Sequence, residues 1–210
     1  MRLTEIYDRV VAQGSTTFGE VIAVLEEAGT QYAVIGGLAV NAYVEPLFTA
    51  DADIVIALNE IDHFTEALLG RGYTVERYAF SLNFRKAGSD LILQISTDPV
   101  YQGFLDRTVK KSVLDVQANV ASLRDLVEGK IRAWSDSERR LSKRAKDQTD
   151  LFRIAERYAE MIELLPEKLR KEIIEDRLQS QKEEGRRKNE EVVPGSCLGG
   201  SAYRRDAIVK

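Results

Sequence analysis

The chain has 210 residues, 44% of them hydrophobic, a formal net charge of −4 and a single cysteine, Cys197. That length accommodates one domain, or one domain with a small extension, and the apolar content is that of a protein with a real core. The charge excludes a uniformly basic nucleic-acid-binding protein but not a local basic patch, and one cysteine excludes an internal disulfide, which sets the cytoplasm as the expected location.

The opening residues, "MRLTEIYDRVVAQG", mix charges through the apolar positions, unlike a signal peptide. No run approaches the ~18 apolar residues of a membrane span, so no membrane partner is expected. Phe18, Val21, Ile22, Val24 and Leu25 recur at helical spacing. They predict an amphipathic helix over 16–28, capped by Thr16 or Thr17 and stopped by Gly29. "QYAVIGG" reads as a short apolar strand ended by glycines, and "LAVNAY" as a helix entered directly at Gly37. "DADIVIAL" is a strand rich in Ile and Val, and "EIDHFTEALLGRGY" a helix closed by Gly70 and Gly72. "TVERYAFSLNFRK" and "SDLILQIST", separated by the turn "AGS", supply two or three strands, and "SVLDVQANV" one more short strand.

From Ser122 the pattern turns helical. Ser122 and Asp125 form a capping box, "LVEGKIRAW" continues the helix, and "SDS" breaks it. "ERRLSKRAKDQTDLFRIAERYAEMI" starts another helix, and Pro166 opens a third. "EKLRKEIIEDRLQSQKEEGRRKNEE" reads as a solvated helix, and the aperiodic "VVPGSCLGGSAYRRDAIVK" as a largely disordered tail. The predicted fold class is α+β. A mixed β-sheet core with helices packed on it covers 1–120, a helical region packed on that core covers 121–165, and a charged helix with its tail covers 166–210.

Two features in "YAVIGGLAVNAYVEPLFTADADIVIAL" carry chemistry. Asp51 and Asp53 stand two apart on a strand and so point to one face, ~7 Å from each other, while Ala52, Ile54 and Ile56 point into the core. Two neighbouring carboxylates repel unless a cation sits between them. Oxygen ligands of this kind suit Mg²⁺ or Mn²⁺, which complete their shells with water and substrate phosphates. Gly36-Gly37, at a strand-to-helix turn, exposes backbone N–H groups to an anion. Either feature alone is common; together they fit the grip of a nucleoside triphosphate and its metal ion.

Ile35-Gly36-Gly37, thirteen intervening residues, then Asp51-Ala52-Asp53-Ile54 resembles the signature of the DNA polymerase β-type nucleotidyltransferase superfamily. Gly36, Gly37, Ala42, Thr49, Asp51 and Asp53 look most like the pattern of small bacterial AbiEii-type and minimal nucleotidyltransferases of toxin–antitoxin systems. Lys130, Arg140, Lys146, Asp147, Asp150 and Leu151 match the helical part of that pattern, and the resemblance spans roughly 16–159. Leu47 and Phe48 stand where the family often has an arginine.

The resemblance implies a nucleotidyltransferase core, an NTP substrate and an acceptor hydroxyl on tRNA or protein, with a cognate toxin or antitoxin as partner. It implies metal ligands at Asp51 and Asp53. A third carboxylate is expected from a later strand, for which Asp90 is the acidic candidate and Ile92 or Gln94 the in-phase alternatives. Nucleotide contacts are expected from Gly36, Gly37, Thr49, Lys130 and Lys146. The competing reading is a catalytically degenerate binding protein of the same fold.

From Lys130 to Lys146 there are seven basic residues and two acidic ones. Arg139, Lys143 and Lys146 share one face at helical spacing, either as a solvated face or as a basic wall over phosphates. Asp147 and Asp150 read as partners for these cations, Trp134 as a packing anchor, and His63, the sole histidine, as a surface residue. No Cys/His grouping suggests zinc.

Overall fold

A computed structural model describes the backbone of residues 3–191 and the side chains of 15–183. The chain divides into two compact units, Met1–Arg170 and Lys171–Lys210. The elements are α1 (Leu3–Glu27), β1 (Tyr32–Ile35), α2 (Gly36–Asn41), β2 (Asp51–Ile56), α3 (Ile61–Leu69), β3 (Tyr73–Tyr78), β4 (Ser81–Lys86) and β5 (Ile92–Ser96). A 3₁₀ segment (Pro99–Arg107) follows, then β6 (Thr108–Val113), β7 (Val116–Ala121), α4 (Leu123–Ser135), α5 (Leu141–Arg157) and α6 (Glu167–Glu191). Among the described residues no helix is long and apolar enough to cross a membrane.

The seven strands form one mixed sheet in the order β3-β4-β5-β2-β1-β7-β6. β2 runs antiparallel to β1 and parallel to β5, and β1 runs parallel to β7. The outer strands close as the antiparallel pairs β3–β4 and β6–β7. This is the α+β sheet-and-helix architecture expected from strands joined by both helices and tight turns.

Alternation along β2 sets the two faces. Ala52, Ile54 and Ile56 are fully buried in one core cluster with Phe18 and Leu25 of α1, Phe64 and Leu68 of α3, and Leu93 and Ile95 of β5. Phe64 and Phe84 meet edge to face with ring centroids 5.9 Å apart. The other face of β2 carries Asp51 and Asp53 towards the side covered by α4 and α5.

Three local expectations change. α1 starts at Leu3, not at Thr16. Thr17, one of the two residues read as a cap, reaches across the fold instead, its Oγ1 donating to Ser89 Oγ at 2.9 Å, and the adjacent Ser15 Oγ donates to Leu114 O at 3.0 Å. "SVLDVQANV" is not one strand. Leu114 and Asp115 take positive φ (49° and 63°) and fold it into the β6–β7 hairpin, a primed-type turn without the usual Asn-Gly signal. The helix after β1 begins at Gly36 rather than Gly37. Gly29 does end α1, with φ of +66°, as expected of a C-terminal glycine. The tail from Val192 and Cys197 lies outside the described residues.

Replacing Ile54 with Ala removes a fully buried side chain from the centre of this cluster. It is expected to lower stability by about 2–5 kcal/mol, read as a shifted urea midpoint at unchanged m-value.

Candidate active site

The site begins with a steric requirement. Ile35 on β1 is the register partner of Asp53 on β2. The next residue, Gly36, has φ of +69°, and a Cβ built there would lie 2.0 Å from Asp53 Oδ2. Any other residue would strain the backbone and collide with the carboxylate. A Cβ on Gly37 would meet Thr49 Oγ1 at 3.2 Å. The glycines therefore first make room for side chains of the β2 segment. α2, entered from this turn, has six residues, so the turn offers bare backbone more than a helix dipole.

Asp53 is half-buried at the floor of a cleft and its pKa is pushed up to about 6. Burial is the largest cause, opposed by Lys130 and reinforced by the negative charge of Asp51; Lys146 and Lys143 pull it back down. Lys143 Nζ stands 3.9 Å from Asp51 Oδ2. Asp53 thus sits in an environment that resists its ionisation, with cations of the facing helices drawn towards it.

Across the sheet at the level of Asp53 the aligned residues are Ile35, Asp53, Gln94 and Asn83. Gln94, not an acidic residue, is beside Asp53 on β5, and Ile92 is beside Asp51. Asp90 is exposed, lies in the loop before β5 and does not line the cleft. The structure therefore does not bring the third-carboxylate candidate to the other two. Among the described residues no group of three or more His, Cys, Asp or Glu is placed to hold a metal ion. The donors on hand are two carboxylates and the amide oxygen of Gln94. That set fits a hard cation such as Mg²⁺ or Mn²⁺, which keeps waters and takes phosphate oxygens as its remaining ligands.

The far wall is built by α4 and α5. Lys130 is buried, with Nζ 2.9 Å from Asp147 Oδ1 and 2.6 Å from Asp150 Oδ2. Burial disfavours its charge, but the two aspartates outweigh that and raise its pKa. Arg139 Nε lies 2.9 Å from Asp147 Oδ2, and Arg153 Nη1 is 2.8 Å from Asp150 Oδ1. Arg153 also donates to Glu45 O and to Asn41 Oδ1, the latter at 3.2 Å, which ties α5 to the loop after α2. Asn41 clamps that loop through both its amide groups, to Leu47 O and Leu47 N. Lys130 is thus the centre of a buried ion network. The expectation of a free phosphate ligand changes accordingly: its ammonium is held by two aspartates, while its charge still acts on Asp53. Asp147 and Asp150 are ion-pair partners, as expected. Trp134 donates to Gln148 Oε1 at 3.2 Å and joins α4 to α5, and His63 is exposed.

Two adjoining cavities share Asp53, Gln94, Lys130, Arg139 and Asp147. One, about 200 Å³, is polar and adds Gly37, Thr49, Asp51, Lys143 and Lys146. Here Lys143 and Lys146 converge, as their helical spacing predicts, and Arg139 joins them from the turn before α5 rather than from the helix itself. The other, about 150 Å³, is walled by Ile35, Tyr101, Phe104, Leu126 and Ala133. Gln94, one of the two in-phase alternatives to Asp90, holds the position beside Asp53, while sequence reading missed Tyr101 and Phe104. The aromatic pair comes from the 3₁₀ segment, whose signal was Asp98-Pro99: Asp98 Oδ1 accepts from Val100 N at 3.0 Å and starts the turn.

Gly36→Ala is expected to cost about 1–2 kcal/mol from the left-handed backbone alone, more with the displaced carboxylate. Gly37→Ala, which meets only the movable Thr49 side chain, is expected to cost less. Paired urea unfolding curves measure the difference.

No protein-family model matches the chain, and a search of curated proteins finds no match. Solved structures do match. The solution structure of the antibiotic-resistance factor ANT(2'')-Ia superposes with a TM-score of 0.55 at 13% identity, covering 84% of this chain and 98% of that one. The crystal structure of ANT(2'')-Ia in complex with adenylyl-2''-tobramycin gives a TM-score of 0.53 at 14% identity, covering 81% and 99%. That of the lincosamide antibiotic adenylyltransferase LnuA gives 0.48 at 13%, covering 67% and 96%. At such identities the two ANT(2'')-Ia superpositions speak to architecture alone: this chain has the nucleotidyltransferase fold.

Proposed function

We propose that the chain is a metal-dependent nucleotidyltransferase, moving a nucleoside monophosphate from an NTP to a hydroxyl and releasing pyrophosphate. The observation that carries this reading is the Asp53 carboxylate seated against Gly36, beside Asp51, opposite a wall of Arg139, Lys143 and Lys146. Asp51 and Asp53 would hold Mg²⁺ or Mn²⁺. When bound, such an ion neutralises triphosphate charge and polarises the phosphoryl group under attack. Lys143, Lys146 and Arg139 would take the β- and γ-phosphates and stabilise the leaving pyrophosphate. Thr49 and the backbone at Gly37 would position them. Lys130 would hold the α4–α5 wall in register and lend its charge to Asp53.

The sequence resemblance supports a finer reading: an RNA 3′ end or a protein side chain as acceptor, a cytoplasmic setting, and a toxin–antitoxin or phage-defence system with a cognate protein partner. ANT(2'')-Ia, crystallised with adenylyl-2''-tobramycin, adds an antibiotic hydroxyl to the acceptors worth testing.

One observation favours a second reading. A hydroxyl nucleophile needs a base within hydrogen-bond reach, and the residue flanking Asp53 is the neutral Gln94. A chain that grips the Mg²⁺–NTP complex without transferring it would be a binding protein of this fold.

Each labelled NTP is to be incubated with Mg²⁺ and a cell extract, beside Asp51→Ala and Asp53→Ala controls. Transfer is expected with the native chain and loss of at least 100-fold with either control, in line with removal of a transition-state charge contact. Lys146→Ala is expected to weaken nucleotide binding by about tenfold, the effect of one charge-assisted contact. Binding without transfer selects the second reading. Neither binding nor transfer contradicts both.

A further inference from the structure

The 150 Å³ lobe of the cleft extends past Asp53 and Arg139 to residues with no part in holding phosphates or metal, among them Ser96, Tyr101, Phe104, Leu126 and Ala133. Resting on the nucleotidyltransferase reading above, we propose that this lobe seats the acceptor, and that it selects an uncharged hydroxyl-bearing ring over a polycation.

The position follows from the reaction. In phosphoryl-type transfer the attacking and leaving oxygens lie roughly in line through the phosphorus. The acceptor oxygen forms a bond to the α-phosphorus. The α–β bridging P–O bond breaks and its electron pair leaves with pyrophosphate, while the acceptor's proton passes to solvent water. Pyrophosphate needs cations, and Lys143 and Lys146 line the polar lobe only. With Asp53 on the boundary of both lobes, the acceptor enters from the other side, which is the lobe walled by Tyr101 and Phe104.

The chemistry of its walls sets the class. Tyr101 and Phe104 meet edge to face, with centroids 5.2 Å apart. The Arg132 guanidinium lies over the Tyr101 ring at 5.7 Å and is itself held by Asp98 at 2.9 Å. The aromatic wall is therefore fixed from two sides. Leu126, Ile35 and Ala133 complete the apolar side of a slot of single-ring size, Gln94 and Ser96 add neutral hydrogen-bonding groups, and the charged lining residues, Asp53, Lys130, Arg139 and Asp147, are the ones shared with the polar lobe or the ion network. No carboxylate here is spare for an ammonium: Asp147 is committed to Lys130 and Arg139, and Asp53 to the metal position. An amino sugar would bring extra cations beside Lys130 and Arg139 into a lobe whose carboxylates are already engaged, so its charge would gain no partner of its own.

The test uses the full chain saturated with Mg²⁺ and a non-hydrolysable ATP analogue. Phenol serves as the neutral probe and kanamycin as the polycation. Side-chain NMR signals of Ile35, Leu126 and Tyr101 report occupancy. Phenol is expected to shift them saturably; kanamycin is not. Ala133→Leu fills the slot and is expected to weaken phenol binding by about tenfold or more while the affinity for the nucleotide analogue stays unchanged. Gly129→Ala is the milder variant, since its Cβ would meet Tyr101 and Phe104 at ordinary contact distances of 3.5 and 3.6 Å; it should fall between. The proposal is overturned if phenol leaves these signals unmoved or if kanamycin moves them instead. It is equally overturned if Ala133→Leu weakens the nucleotide, which would put the nucleoside in the lobe. Failure of the native chain to bind Mg²⁺–ATP at all is a different result and removes the underlying reading.

Discussion

Everything at this site depends on one close approach. The Asp53 carboxylate lies where a side chain on Gly36 would have to be. That contact fixes the end of β1 against β2, aims the carboxylate along the floor of the cleft and limits its access to water. Because Asp51 stands two residues away on the same face, the same packing that orders the site also concentrates negative charge in it. The cations of α5 and the buried Lys130 are the protein's own partial compensation.

The helical wall has a corresponding constraint. Lys130 joins α4 to two aspartates of α5, and Arg139 and Arg153 complete their pairing. Removing one member of a buried ion network leaves an uncompensated charge, so such groups act as a unit. Here the unit also has reach. Arg153 grips the loop after α2, and Asn41 holds the same loop, so the helices and the segment leading to Thr49 are mechanically continuous. The geometry of the carboxylates and that of the basic wall are therefore set together.

The parts legible in sequence were those with local signatures. Alternation in "DADIVI" correctly separated the core face from the carboxylate face, the strand-glycine boundary located the turn, and i,i+3 spacing gathered Lys143 and Lys146. Other features depended on pairing partners distant in sequence. Asp90 looked right by phase and acidity, yet strand register puts Gln94 beside Asp53. Lys130 looked like a phosphate ligand because nothing local reveals that Asp147 and Asp150 fold back onto it. Thr17 resembled a helix cap because its distant acceptor, Ser89, is invisible to a local pattern. Tyr101 and Phe104 reach the cleft on a 3₁₀ segment too short and irregular for periodicity to announce.

Burial and the neighbouring Asp51 make the ionised Asp53 carboxylate costly in the folded chain. Its folded-state pKa, about 6, lies above the ordinary 3.8, so the folded chain holds this proton more tightly than the unfolded chain. Its contribution to stability is therefore present at low pH and lost as pH rises through that window. The direct measurement is thermal unfolding of the native chain and Asp53→Asn from pH 4 to 8, with and without Mg²⁺–ATP. The account predicts that Asp53→Asn is the more stable protein above pH 6 without ligand, and that only the native chain gains stability from Mg²⁺–ATP there. An Asp53→Asn protein that is less stable at neutral pH, or that gains as much from Mg²⁺–ATP as the native chain, would contradict it.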